Sequence, residues 1–240
     1  PNLTALNERD STDGSAVYSR IPGNQIRKVA LEPVLEEETG ILEKTSPIVA
    51  LDYRLGGLAE RPTRAFVTLN RDGDVNLSLV ESKMNLLTRA VTVKVVSSAL
   101  PALPSGVQAS RILMTQKADQ VYVADNSGRL IRYNTQNMKE PFISEEVNLL
   151  PPGVGLTSLG FLAGENSLVV GGTDGSVNIF FRLAREGGSG EDGFAMVRTR
   201  EFLRHESAVR NFQPTQRDKT FLTADADGHV LVRHGTAEST

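Results

Sequence analysis

Cysteine and tryptophan are both missing from these 240 residues, and aromatic side chains of any kind make up only 5%. Without cysteine there is no disulfide framework, iron–sulfur cluster, thiolate zinc site or cysteine nucleophile. No stretch approaches the about 18–20 consecutive apolar residues that a membrane-crossing helix requires. No block of like charges stands out either. The 26 Lys and Arg nearly balance the 29 Asp and Glu, for a net charge of −3. A basic stripe is therefore missing, which argues against a nucleic-acid partner. Pro1 opens the chain with no Met and no basic segment before an apolar run, so no signal peptide is visible, and the sequence reads as a piece of a longer protein. A cysteine-free composition agrees, weakly, with an exported protein.

What the sequence does contain is a repeat. Its 39% hydrophobic residues suit a packed core, and a β-rich run, a short turn ending in glycine and an alternating run recur along it. The copies centre on Asp13-Gly14, Asp72-Gly73, Ser127-Gly128, Asp174-Gly175 and Asp227-Gly228, with gaps of 59, 55, 47 and 53 residues between the glycines. Glycine there supplies the positive φ of a tight hairpin without a Cβ clash. The flanking runs alternate in sidedness and favour Val, Ile, Leu and aromatics, as a pleated, half-buried surface requires. The turn aspartates Asp13, Asp72, Asp174 and Asp227 recur in equivalent places and read as structural turn residues rather than calcium ligands.

Further strands are predicted before the hairpins, over 48–54, 110–116, 156–162 and 209–215. Others are predicted after them, over 24–34, 90–96, 140–149 and 193–203. Complete units thus have four antiparallel strands, with approximate limits 1–34, 48–96, 110–149, 156–203 and 209–240. The fold class is all-β, a β-propeller of four-stranded blades. Unit one is short of its innermost strand and unit five of its outermost, so exchange of terminal strands does not complete the count. A truncated or incomplete ring is expected, since seven blades would need about 350 residues.

The last copy carries a resemblance. His205-Glu-Ser-Ala-Val209, then Phe221-Leu-Thr223 and Asp227-Gly228-His-Val230, resembles a WD-type propeller repeat, with His205 as its loop histidine, Thr223 on the next strand and Asp227 in the turn. The tryptophan position of that family falls on Arg233, Phe180, Tyr133 and Ser78 in four copies. The hydrogen-bonded tetrad of a strict WD repeat is therefore expected to be broken in every one. A second resemblance lies in residues 217–240, which look like the large, propeller-carrying permease subunits of bacterial phosphate-type ABC transporters. That likeness implies a domain on the periplasmic side of the inner membrane, non-catalytic, with membrane segments outside this stretch. It also implies protein partners such as a solute-binding protein or other transporter subunits. A soluble WD-like scaffold is the alternative, and a propeller enzyme with a central-channel site the third.

The remaining motifs read quietly. Gly188-Ser-Gly190-Glu-Asp-Gly193 matches the spacing of a dinucleotide fingerprint, but a strand rather than a helix follows, and Glu191 and Asp192 would repel phosphate. A loop is expected, with no cofactor. His229 and His234, five apart on one strand, face opposite ways and do not suit one metal. No Ser–His–Asp grouping follows from the spacing. The acidic run Glu36, Glu37 and Glu38 is expected to be a solvated connector between units one and two, or, in its sharper reading, a partner-facing loop.

Overall fold

A computed structural model of the chain describes residues 16–21, 25–30, 46–54, 64–84, 91–184, 190–216 and 218–235. These residues are strands and turns, and no helix occurs among them. Leu3–Leu6, Asp13, Gly14 and Glu36–Glu38 lie outside the described residues.

Five antiparallel sheets follow one another along the chain. The first pairs β1 (Ala16–Ile21) with β2 (Gln25–Ala30). The second runs β3 (Ile48–Arg54), β4 (Arg64–Asn70), β5 (Val75–Met84) and β6 (Val91–Ala99) in sequence order. The third is built likewise from β7 (Ala109–Met114), β8 (Gln120–Asp125), β9 (Arg129–Asn134) and β10 (Phe142–Asn148). The fourth comprises β11 (Leu156–Phe161), β12 (Ser167–Gly172), β13 (Val177–Ala184) and β14 (Phe194–Glu201). The fifth has three strands, β15 (Val209–Pro214), β16 (Thr220–Asp225) and β17 (Val230–His234). We number these sheets as blades one to five.

Strand alternation explains how the blades stack. On β8, Val121 and Val123 point towards blade two and join Val67, Leu69, Val75 and Leu77 in one core. Tyr122 and Ala124, on the other face, join Leu156, Leu168, Val170 and Phe180 of blade four in a second. Both faces of β8 are covered, so all six of its residues are buried. The third core repeats the arrangement between blades four and five, where Val169, Val177 and Ile179 meet Val209 and Phe221. Each such Val, Leu or Ile contributes about 1.5–3 kcal/mol by leaving water. The innermost strands also lie side by side: β3 beside β7, and β11 beside β15. Arg111 on β7 donates through Nη2 to the Thr157 carbonyl on β11 at 2.8 Å, linking the middle pair. Beyond blade five the apolar pattern continues onto an open face, where Val230 and Val232 are 59% and 71% exposed.

Candidate functional site

The two ends of the blade stack differ in chemistry. At one end lie the turns joining second to third strands. Gly73, Gly128, Gly175 and Gly228 all have φ between 77° and 91° there, and each donates its N–H to the carbonyl three residues earlier. The aspartates next to them divide unequally. Asp174 accepts from the Ser176 N–H at 3.1 Å and from Arg204 at 2.9 Å. The Asp72 and Asp227 N–H groups are held by Ser46 and Asp225, while both residues are exposed. The carboxylates that organise these turns sit three residues before the glycine. Asp125 Oδ1 accepts from the N–H of Ser127 and of Arg129, and Asp225 Oδ1 from the N–H of Asp227 and of His229. Asn70 does the same for Asp74.

This corrects the expected tetrad in blade five in two respects. The acid is Asp225 rather than Asp227, and the tetrad is present. His205 lies in the loop between β14 and β15, with Nδ1 3.3 Å from Asp225 Oδ2 and Nε2 2.8 Å from Thr223 Oγ1. Arg233 Nε then donates to Thr223 Oγ1 at 2.9 Å. The arginine supplies, from the tryptophan position, the single N–H that an indole would supply, and this is why the network survives the substitution. Phe180, at that position in blade four, has no N–H to give; Tyr133 instead donates its hydroxyl to the Pro101 carbonyl, and Ser78 pairs with Ser97. Burial opposes the charge on Asp225, but the His229 N–H and ring, with the Asp227 N–H, outweigh it and bring its carboxyl down to about 2. His229 stands in the turn just before β17, and His234 at the far end of the strand pairs with Thr220.

The glycine-rich segment has a structural role that its spacing did not reveal. Asp192 is clamped by Arg132 of blade three, with Nη1–Oδ2 and Nη2–Oδ1 at 2.5 and 2.9 Å. Arg132 is fully buried, and its remaining donors reach Glu145, Gln120 and the Phe194 carbonyl. A Cβ on Gly190 would collide with the Phe194 carbonyl oxygen and crowd the same guanidinium, so glycine is what lets the loop close on it. Burial opposes ionisation of Asp192, yet the Arg132 hydrogen bonds and charge hold its carboxyl below the usual range. Residues 190–193 thus join two blades. The sequence signal was Arg132 set between the apolar residues Leu130, Ile131 and Tyr133 of β9, which asks for a buried acid.

At the other end, the first strands of blades two to five converge on a groove of about 950 Å³. Asp52 and Arg54 from the end of β3 wall one side, the β7–β8 loop contributes Gln116, Lys117 and Asp119, and the β11–β12 loop contributes residues 162–166. Asp52 Oδ2 accepts from the Met114 N–H at 2.8 Å, fixing blade two to blade three. Glu165, at φ 55°, accepts from the Gln116 N–H and faces Arg54 Nε at 3.6 Å, fixing blade four to both. Burial pushes the Glu165 carboxyl up, with Gln116 and Arg54 drawing it back in part. Tyr122 meets Phe161 edge to face at 5.1 Å on the groove floor, where burial carries its phenol up to about 12. None of the groove-lining residues is a histidine. Among the described residues, no cluster of three His, Asp or Glu is placed to hold a metal ion.

No protein-family model and no curated protein sequence matches the chain. Solved structures do: 810 chains share its architecture, and a likeness this widespread identifies a fold and no particular partner. One of them is the WD-type propeller Sqt1 of Saccharomyces cerevisiae. It has a TM-score of 0.54 and 12% sequence identity, over 80% of this chain and 46% of that one. The chain therefore spans about half the length of the structure it resembles. Together, the four-stranded antiparallel sheets and this neighbour show that the chain has a WD-like β-propeller fold.

Proposed function

We propose that the chain is a non-catalytic protein-interaction module, a stack of WD-like blades that offers the groove at its loop end to a protein partner. One observation carries this reading. Loops from blades three, four and five, with the end of β3, converge on one concavity, and rigid sheets hold them there. A recognition surface so supported loses little freedom when it binds. A hydrolase working by nucleophilic catalysis would need a base poised beside its nucleophile. Here Asp52 and Glu165 are engaged with backbone N–H groups and Arg54, and the histidines lie elsewhere. The test is photo-crosslinking in the full-length protein in its own cells, with the reactive residue at Gln216 on the groove rim or at Asp227 on the opposite end. A discrete protein adduct from Gln216 and none from Asp227 is expected; no adduct from either overturns the reading.

The finer proposal concerns the parent protein. The likeness of residues 217–240 to phosphate-type ABC transporter permeases supports a domain on the periplasmic side of the bacterial inner membrane, with a solute-binding protein or another transporter subunit as partner. The gene sequence after Thr240 tests it. Apolar stretches of about twenty residues should follow, and a stop codon or further soluble domains there would sink it.

A further inference from the structure

Deepening the interaction reading, on which it rests, we propose that the groove takes an acidic peptide segment of the partner. Its carboxylates would meet Lys117 and Arg182, and a neighbouring apolar residue would lie against Tyr122 and Phe161. The groove is lined by three acids and three cations, Asp52, Asp119 and Glu165 against Arg54, Lys117 and Arg182, so the count alone is neutral. The pairing is not. Asp52 accepts from the N–H of Tyr53 and of Met114 and from Arg54, Asp119 from the Thr115 hydroxyl, and Glu165 from the Gln116 N–H beside Arg54. All three acids, and Arg54 with them, are committed within the protein.

Lys117 and Arg182 are not so committed. Lys117 is exposed at the tip of its loop, and no carboxylate lies within ion-pair distance of it among the described residues. Arg182 lies over the Phe194 ring, 4.7 Å from its centroid, and Asp192, the acid whose charge it feels, is committed to Arg132. Tyr122 stands on the floor among these cations as a neutral phenol, able to donate to a carboxylate. The hydrogen-bonding capacity left open in the groove is therefore cationic and donating at Lys117, Arg182 and Tyr122. Asp119, bonded to a neutral hydroxyl, keeps its charge on the β7–β8 loop, and the walls carry Leu113, Phe161 and Phe212. A single small anion would use the charges and leave these apolar walls wet; an acidic segment with interspersed apolar residues uses both.

Selection of a random displayed peptide library against the full chain tests this. Enriched peptides should be rich in Asp and Glu, and Lys117→Glu with Arg182→Glu should weaken their binding at least about tenfold, as should raised salt. Lys117→Glu alone, at an exposed position, should act in the same direction and guards against misfolding of the pair. Enriched peptides without acidic bias, or acidic ones indifferent to both substitutions, overturn the inference and leave the interaction module standing. A library that yields no binder counts against both.

Discussion

Arg233 donates through Nε to the hydroxyl of Thr223 at 2.9 Å, from the strand position that a strict WD repeat gives to tryptophan. One N–H in the right place is enough to complete the chain from Thr223 through His205 to Asp225. The exchange has a cost, because Arg233 is only 7% exposed and its Nη2 is buried without a partner. Stacking on Phe202, with 5.4 Å from the guanidinium carbon to the ring centroid, offsets part of it.

Arg233→Ala removes the donor and the stacking together, and should lower stability by about 1–3 kcal/mol. Arg233→Trp keeps an N–H and removes a buried charge, so it should equal or exceed the parent. Urea denaturation midpoints rank the three. A Trp variant weaker than the Ala variant would contradict the tetrad assignment.

Asp192→Ala should cost about 1–3 kcal/mol, because it takes the acceptor from two donors of the fully buried Arg132 guanidinium while Glu145 still balances its charge. Glu191→Ala, one residue away and exposed, should change stability by less than about 0.5 kcal/mol. The same denaturation measurement compares them. Equal effects would mean that the clamp is incidental.

Acid should weaken the fold through Asp225 and Asp192. Both carboxyls titrate lower in the folded chain than the about 3.9 of an unfolded Asp, Asp225 at about 2. Their contribution is complete above about pH 4 and is lost as pH falls towards 2, since the unfolded state then binds protons more readily. Melting temperature followed from pH 5 to pH 2 should fall steeply, and less steeply in Asp225→Asn. Parallel curves would contradict the role given to Asp225.

Gly175→Ala should destabilise more than Gly228→Ala, although both glycines have positive φ. A Cβ at 175 would run into the His205 carbonyl oxygen, whereas none meets an obstacle at 228. Thermal denaturation separates backbone strain alone, about 1–2 kcal/mol, from strain with a clash. Equal losses would remove the contact between the blade-four turn and the His205 loop.

Much of the architecture is legible in the residues because two local rules operate throughout. Val121-Tyr122-Val123 alternates in sidedness, and a positive-φ glycine ends each described turn from second to third strand in blades two to five, so strands and their order follow from spacing. Strand β10, predicted over 140–149 and observed over Phe142–Asn148, differs only at its ends. The side-chain networks are less legible. In Asp225-Ala-Asp227-Gly228 two acids compete for the turn, and only the one at the strand end can reach the N–H groups two and four residues on. Comparing copies at a fixed offset from the glycine would have found it, because Asn70 and Asp125 stand in the same place. The Arg132–Asp192 clamp joins residues sixty apart on different blades, and no local pattern announces such a pair. The groove is harder still, since it exists only where loops of separate blades converge.

The most direct test of the account is an amide NMR titration of the chain with an acidic peptide from the library selection. Shifts should concentrate in residues 115–119 and 162–166, the two loops that wall the groove, and leave the turns at Gly128, Gly175 and Gly228 unmoved. Shifts confined to those turns, or to the open face around Val230 and Val232, would contradict it.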